Sequence, residues 1–237
     1  VALGWDVGNF NTVRDLNPEA VRPEARPLPP AGSDALKELY RLGRDRQAWE
    51  RWQVEFETPM DPTVAQQFTD GLMRLGVGDN LDGIFMVSSL AWRDDPEEKA
   101  QYQALKQQSA YWHALYPFPY LEAIVRWSRQ RQLNAMLVTA LIRQESRFMP
   151  SIRSAVGATG LMQVMPETGD WIASKLDPAD RDFDLDNPED NIKFGTWYLD
   201  YTHREYNNNS MLAIASYNAG PGNVADWLDR FGLSDPD

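Results

Sequence analysis

Apolar residues recur every three to four positions in blocks of 10 to 15 residues, and the blocks are separated by Gly or Pro. That period presents one apolar stripe per helix and does not suit a strand, whose period is two. Runs of alternating β-branched residues are nearly absent. The chain is therefore restricted to a mainly α fold. Ser33-Asp34 can cap a helix carrying Leu36, Leu39, Tyr40 and Leu42, and Gly43 interrupts it. Further helices are predicted over Gln47 to Phe56, from Asp61-Pro62 to Gly76, over Leu81 to Trp92 and over Pro96 to Tyr111. After Pro117 and Pro119 come Leu121 to Gln130, Ala135 to Phe148, Glu167 to Lys175, Asn187 to Tyr206 and Ser210 to Phe231.

The expected organisation has three parts. Residues 1–31 include five prolines between Pro18 and Pro30, which exclude a regular helix or central strand. They read as an extended arm, a linker or a surface strap. Residues 32–112 read as stacked helical hairpins, a superhelix fragment. Residues 113–237 form the last domain.

Composition limits the partners. The net charge is −12, with 18 acidic and 12 basic residues in 1–110 and 17 and 11 in 111–237. Neither part is a basic binding module, which argues against nucleic acid and anionic membrane surfaces. No apolar run approaches the ~20 residues of a membrane helix. With no cysteine there are no disulfides and no thiolate metal sites. Nine Trp and nine Tyr could stack on sugars, although any one Trp is more often core.

The helix ending near Phe148 holds the main candidate for chemistry. At 100° per residue, Val138, Leu141 and Ile142 lie within about 60° of Glu145, which thus extends the apolar face. Pro150 must stop the helix, so Glu145 sits near its negative end. An apolar wall and that dipole end both raise a carboxyl pKa, as an acid working near neutrality requires. The alternative is a boundary carboxylate paired with Arg143 or Arg147.

Three further strings follow Glu145-Ser146-Arg147-Phe148: Gly160-Leu161-Met162-Gln163-Val164-Met165-Pro166, Asn191-Ile192 with Gly195, and Tyr217-Asn218-Ala219-Gly220-Pro221-Gly222. In this order and spacing the four motifs resemble those of the soluble lytic murein transglycosylases, over about Leu115 to Phe231. Leu115-Tyr116-Pro117 resembles the entry to that catalytic domain. The preceding helices resemble, more loosely, the α-superhelix of the large soluble members.

The resemblance implies a lysozyme-like helical catalytic domain acting on peptidoglycan glycan strands in the periplasm or cell envelope. Glu145 takes the place of the single catalytic acid and base. It would protonate the oxygen between N-acetylmuramic acid and N-acetylglucosamine, then deprotonate the C6 hydroxyl that closes onto C1, leaving a 1,6-anhydro end. Ser154, Gln163, Met165, Tyr217 and Asn218 match groove residues. Ser154 and Gln163 would hydrogen-bond sugar, Met165 would form an apolar wall, and Tyr217 would hydrogen-bond Glu145. Met162, Val164 and Ile192 read as core, and Gly160, Gly220 and Gly222 as backbone requirements. No cofactor or metal is implied, and cell-wall synthesis or division proteins are candidate partners. The family pattern continues with a Pro-Phe segment, a Glu-Thr-Arg motif and another helix. This sequence lacks them, so a shortened groove is expected.

The acidic stretch Asp180, Asp182, Asp184, Asp186 does not meet the calcium-loop pattern in either register, and reads as a solvated loop. Two alternative functions remain at this level. A goose-type hydrolytic muramidase would need a carboxylate such as Glu167, Asp170 or Glu189 facing Glu145. A non-catalytic glycan-binding protein would not need Glu145 at all.

Overall fold

The computed structural model describes residues 26, 28–56, 61–178 and 181–232. Most of the Pro-rich arm therefore lies outside the described residues, as does Asp180. Twelve α-helices occur among those described, with isolated β-bridges in place of a sheet. They divide into two compact units, one ending at Pro119 and the other beginning at Tyr120.

The first unit contains α1 (Asp34–Arg41), α2 (Asp45–Glu55), α3 (Val64–Gly76), α4 (Asn80–Ser89), α5 (Pro96–Lys106) and α6 (Ser109–Leu115). Ser33 caps α1 by accepting the Leu36 amide, and Thr63 opens α3 with a reciprocal capping box to Gln66. Leu36, Trp52, Phe68, Leu72, Val87, Leu90 and Tyr111 form one continuous core. The Trp52 indole donates to Asp70 at 2.9 Å, so this buried aromatic keeps its polar atom satisfied. The single helix expected over 96–111 is broken after Lys106. There the Trp112 indole donates to the Lys106 carbonyl at 2.9 Å, satisfying a carbonyl that the helix end leaves without an amide.

The second unit contains α7 (Leu121–Arg131), α8 (Ala135–Ser146), α9 (Pro166–Lys175), α10 (Pro188–Glu205), α11 (Ser210–Ala219) and α12 (Pro221–Phe231). Helix α10 packs against α7, α9 and α11. Ile192, Phe194 and Leu199 on α10 are fully buried, as are Ile124, Val138, Ile142 and Ile172 on its neighbours. The expected helix over 210–231 is two helices. Gly220, with φ +86°, ends α11, and Pro221 opens α12 without needing an amide partner. Gly222 lies inside α12 at ordinary helical geometry, so it is not the backbone requirement expected of it.

Between α8 and α9 the chain folds back twice. Thr159 and Val164 exchange both backbone hydrogen bonds at 3.0 Å, and the Gly160 amide donates to the Ile152 carbonyl at 2.9 Å. This loop is held down by one side chain. Asn191, fully buried on α10, donates to the carbonyls of Thr159 (2.9 Å) and Leu185 (2.8 Å), and accepts the Met162 amide at 2.7 Å. Close approach is required for these bonds. A Cβ at Gly160 would stand 2.2 Å from the Asn191 amide nitrogen, and one at Gly195 would stand 2.4 Å from the Met162 sulfur. Met162, Val164 and Ile192 are buried, as expected.

Asn191→Ala would leave the buried Met162 amide unmatched and remove a bond from each of the Leu185 and Thr159 carbonyls, the latter still accepting the Val164 amide. Equilibrium denaturation is expected to show a loss of about 3 kcal/mol.

Candidate active site

Glu145 occupies the last turn of α8, with Ile142 and Leu141 buried beside it. The helix stops two residues earlier than the apolar pattern suggests. Arg147 and Phe148 are both left-handed, at φ +49° and +64°. Such geometry is costly for residues with a Cβ and persists where the surroundings over-determine it. Here the Phe148 ring is buried, and its amide donates to the Ser146 hydroxyl at 3.1 Å. That hydroxyl in turn donates to the Ile142 carbonyl at 3.0 Å. The carboxylate-bearing turn is thereby clamped from both sides.

Glu145 itself is half-buried. Among the described residues its carboxyl makes no hydrogen bond and no ion pair, so the pairing with Arg143 or Arg147 does not form. Burial pushes its pKa above the ordinary carboxylate value, with no charged group opposing. Tyr217, on α11, faces it. Burial raises the Tyr217 hydroxyl well above the ordinary tyrosine range, and the negative charge of Glu145 adds to that.

The expected bond from Tyr217 to Glu145 is absent. The Tyr217 hydroxyl donates instead to the Met162 carbonyl at 2.7 Å, so its single proton is committed to the loop. An ordered carbonyl reachable by a buried hydroxyl competes effectively with a carboxylate that solvent can reach. Tyr217 therefore ties the loop to α11.

Gln163 and Ser154 both lie in the folded-back loop, but their polar groups are partly spent on it. Gln163, at φ +49°, donates to the carbonyls of Gly160 (2.9 Å) and Ile152 (3.2 Å), leaving its side-chain oxygen as an acceptor. Ser154 accepts the Ala158 amide at 3.0 Å and retains its hydroxyl proton as a donor. Met165 is half-buried and precedes α9, while Asn218 is exposed beside Tyr217. The structure thus ties Tyr217, Gln163 and Ser154 into one loop assembly and sets Glu145 against it. No contact joins Met165 or Asn218 to that assembly among the bonds described.

Of the three carboxylates considered as partners, Glu189 is taken up by Arg126 and the Trp127 indole, each at 2.6 Å. Glu167 and Asp170 are exposed on α9, and neither perturbs Glu145. In the acidic loop, Asp186 pairs with Arg153 at 2.5 Å and Asp184 accepts the Asp186 amide. Asn191 is the residue whose role sequence reasoning left open. Its signal was a polar residue within an apolar helical stripe, four positions before a glycine.

The helical fold is that of a lysozyme-like domain. Residues 122–236 match the transglycosylase SLT domain. The soluble lytic murein transglycosylase of Salmonella typhimurium is 39% identical over 115 residues, covering 48% of this chain and 18% of the relative. The chain thus spans under a fifth of that relative's length. Among solved structures, the 70 kDa soluble lytic transglycosylase of Escherichia coli superposes with a TM-score of 0.55 at 25% identity. That match covers 82% of this chain and 29% of the other. The lytic transglycosylase Slt of Pseudomonas aeruginosa, solved as an inactive glutamate-to-glutamine mutant, gives 0.55 at 28% identity, covering 84% and 32%.

Because the folded-state pKa of Glu145 is raised, ionising it costs stability. Its contribution is fully present below the unfolded value near 4.3 and is lost as pH rises through the folded value. Glu145→Gln is therefore expected to raise Tm at pH 7 and to leave it unchanged near pH 3.5, read by thermal scans at the two pH values. Tyr217→Phe, which deletes the bond to Met162, is expected to cost about 1 kcal/mol in urea denaturation.

Proposed function

We propose that the chain is a peptidoglycan lytic transglycosylase of the cell envelope, with Glu145 as its single acid and base. The observation that carries this reading is the state of Glu145. It is a half-buried carboxyl with a raised pKa and, among the described residues, no hydrogen bond and no ion pair, set against a loop organised by Asn191 and Tyr217. A carboxyl held only by packing is free to give up and take back a proton. Support also comes from the Pseudomonas relative, which a glutamate-to-glutamine change leaves inactive.

In the first step the protonated Glu145 donates to the glycosidic oxygen, and the bond from that oxygen to C1 of N-acetylmuramic acid breaks. The electron deficit at C1 is met by the substrate's own acetamido group. In the second step the Glu145 carboxylate removes the C6 hydroxyl proton, and O6 bonds to C1 as the acetamido oxygen leaves it. Glu145 is again protonated, the product ends in a 1,6-anhydro ring, and no water is added. The scheme needs no second enzyme carboxylate, unlike the usual two-carboxylate glycosidase. That agrees with the absence of any charged group acting on Glu145 among the described residues.

Groove roles follow from the donors and acceptors left over. Ser154 would donate to sugar and the Gln163 side-chain oxygen would accept from it, with Met165 as apolar wall and Asn218 as an exposed polar contact. Tyr217 holds the loop through the Met162 carbonyl.

Purified sacculi incubated with the chain are expected to release muropeptides ending in 1,6-anhydromuramic acid, read by mass spectrometry. Reducing ends carrying an added water would instead identify a hydrolytic muramidase. Glu145→Gln should reduce release by at least roughly a thousand-fold with helical circular dichroism unchanged. Activity of the native chain should fall on its alkaline side at a pH above the ordinary glutamate value, since the acid must be protonated to act.

A further inference from the structure

Four aromatic side chains that the reaction does not use lie together on α9 and α10: Trp171, Trp197, Tyr198 and Tyr201. Trp171 is 36% exposed, and the other three rings are partly exposed. Trp171 meets Tyr201 edge-on at 5.1 Å and Trp197 at 5.3 Å, while Trp197 and Tyr201 lie nearly parallel at 6.0 Å. The row continues to the acid. Trp171 meets Tyr198 at 6.5 Å, and Tyr198 meets Tyr217 at 5.3 Å, where Tyr217 feels the charge of Glu145. Two ring-to-ring steps therefore lead from the residue beside the acid to the exposed indole.

We propose that this aromatic row is a glycan-holding subsite for sugars of the same strand that lie beyond the cleaved bond. The inference rests on the transglycosylase reading of Glu145 for its substrate class. Pyranose rings offer flat C–H faces ringed by hydroxyls, and an indole or phenol ring matches those faces while its polar atom meets the rim. Lys175, whose ammonium stands 5.9 Å from the centre of the Trp171 ring, supplies a cation for the carboxylates of the peptide stem on muramic acid. The remaining surroundings suit an uncharged surface such as a sugar face. Glu167 and Asp170 on α9 and Glu205 on α10 are exposed acids, which disfavour an anionic lipid surface or nucleic acid. A row that holds remote sugars would act through binding, because contacts away from the reacting centre set affinity for long strands.

The test uses the full chain carrying Glu145→Gln, so that binding is read without turnover, with N-acetylglucosamine oligomers of two and six sugars as probes. Tryptophan fluorescence and calorimetry give the two affinities. Trp171→Ala in this background is expected to weaken hexamer binding about ten-fold and to collapse the hexamer-to-dimer affinity ratio. Trp171→Tyr should restore most of that ratio. Trp227→Ala, a more exposed indole on α12, serves as the control and should leave the ratio intact. A hexamer-to-dimer ratio unchanged by Trp171→Ala overturns the inference, as does an equal loss with Trp227→Ala. Sacculus digestion by the native chain is read separately. Absent turnover together with a Trp171-dependent ratio would sink the transglycosylase reading and leave the subsite standing.

Discussion

Three hydrogen bonds from one buried amide organise the second unit. Asn191 reaches from α10 to two carbonyls and one amide of the chain outside its helix, using both its donors and its acceptor oxygen. In an interior of low polarity the Met162 amide would be expensive to leave unmatched, and the same side chain adds a second bond to the Thr159 carbonyl, which the Val164 amide also reaches. The glycines at 160 and 195 follow from it, since the loop backbone must come within bonding distance of the helix. So does the placement of Met162, whose carbonyl receives the Tyr217 hydroxyl. The loop is thereby tied to α10 and α11 at once.

Around Glu145 the same economy runs in reverse. Ser154, Gln163 and Tyr217 each engage a backbone atom, while the acid engages nothing among the described residues. Its turn is clamped by Ser146 and by two residues in a costly backbone conformation. Rigidity of the surroundings and freedom of the carboxyl are complementary requirements for proton transfer, because the proton must be the component that moves.

Much of this was legible from residue order alone. Periodicity located nearly every helix, and it put Glu145 on an apolar face close to a helix end, where burial now raises its pKa. The errors have separable causes. Helix α5 ends because a distant-facing indole, Trp112, captures a carbonyl, and no Gly or Pro at 107–109 announces it. The break at Gly220-Pro221 was visible as a turn but was overridden by the apolar pattern running through it. Tyr217 was assigned the wrong acceptor because sequence cannot rank two acceptors that only folding brings together. The aromatic row on α9 and α10 escaped notice for a similar reason, since Trp171 and Trp197 become neighbours only through packing.

Three of the ties that hold the loop share one property. Asn191, Gln163 and Tyr217 all bond to main-chain atoms, never to another side chain. A main-chain atom is present whatever residue occupies the position. Positions such as Ala155 and Val156, exposed on this loop and outside these bonds, can therefore be exchanged during divergence without loosening the frame. Scaffold and specificity are encoded in separate sets of atoms, so a lineage could retune which strands it prefers while inheriting the same acid in the same place.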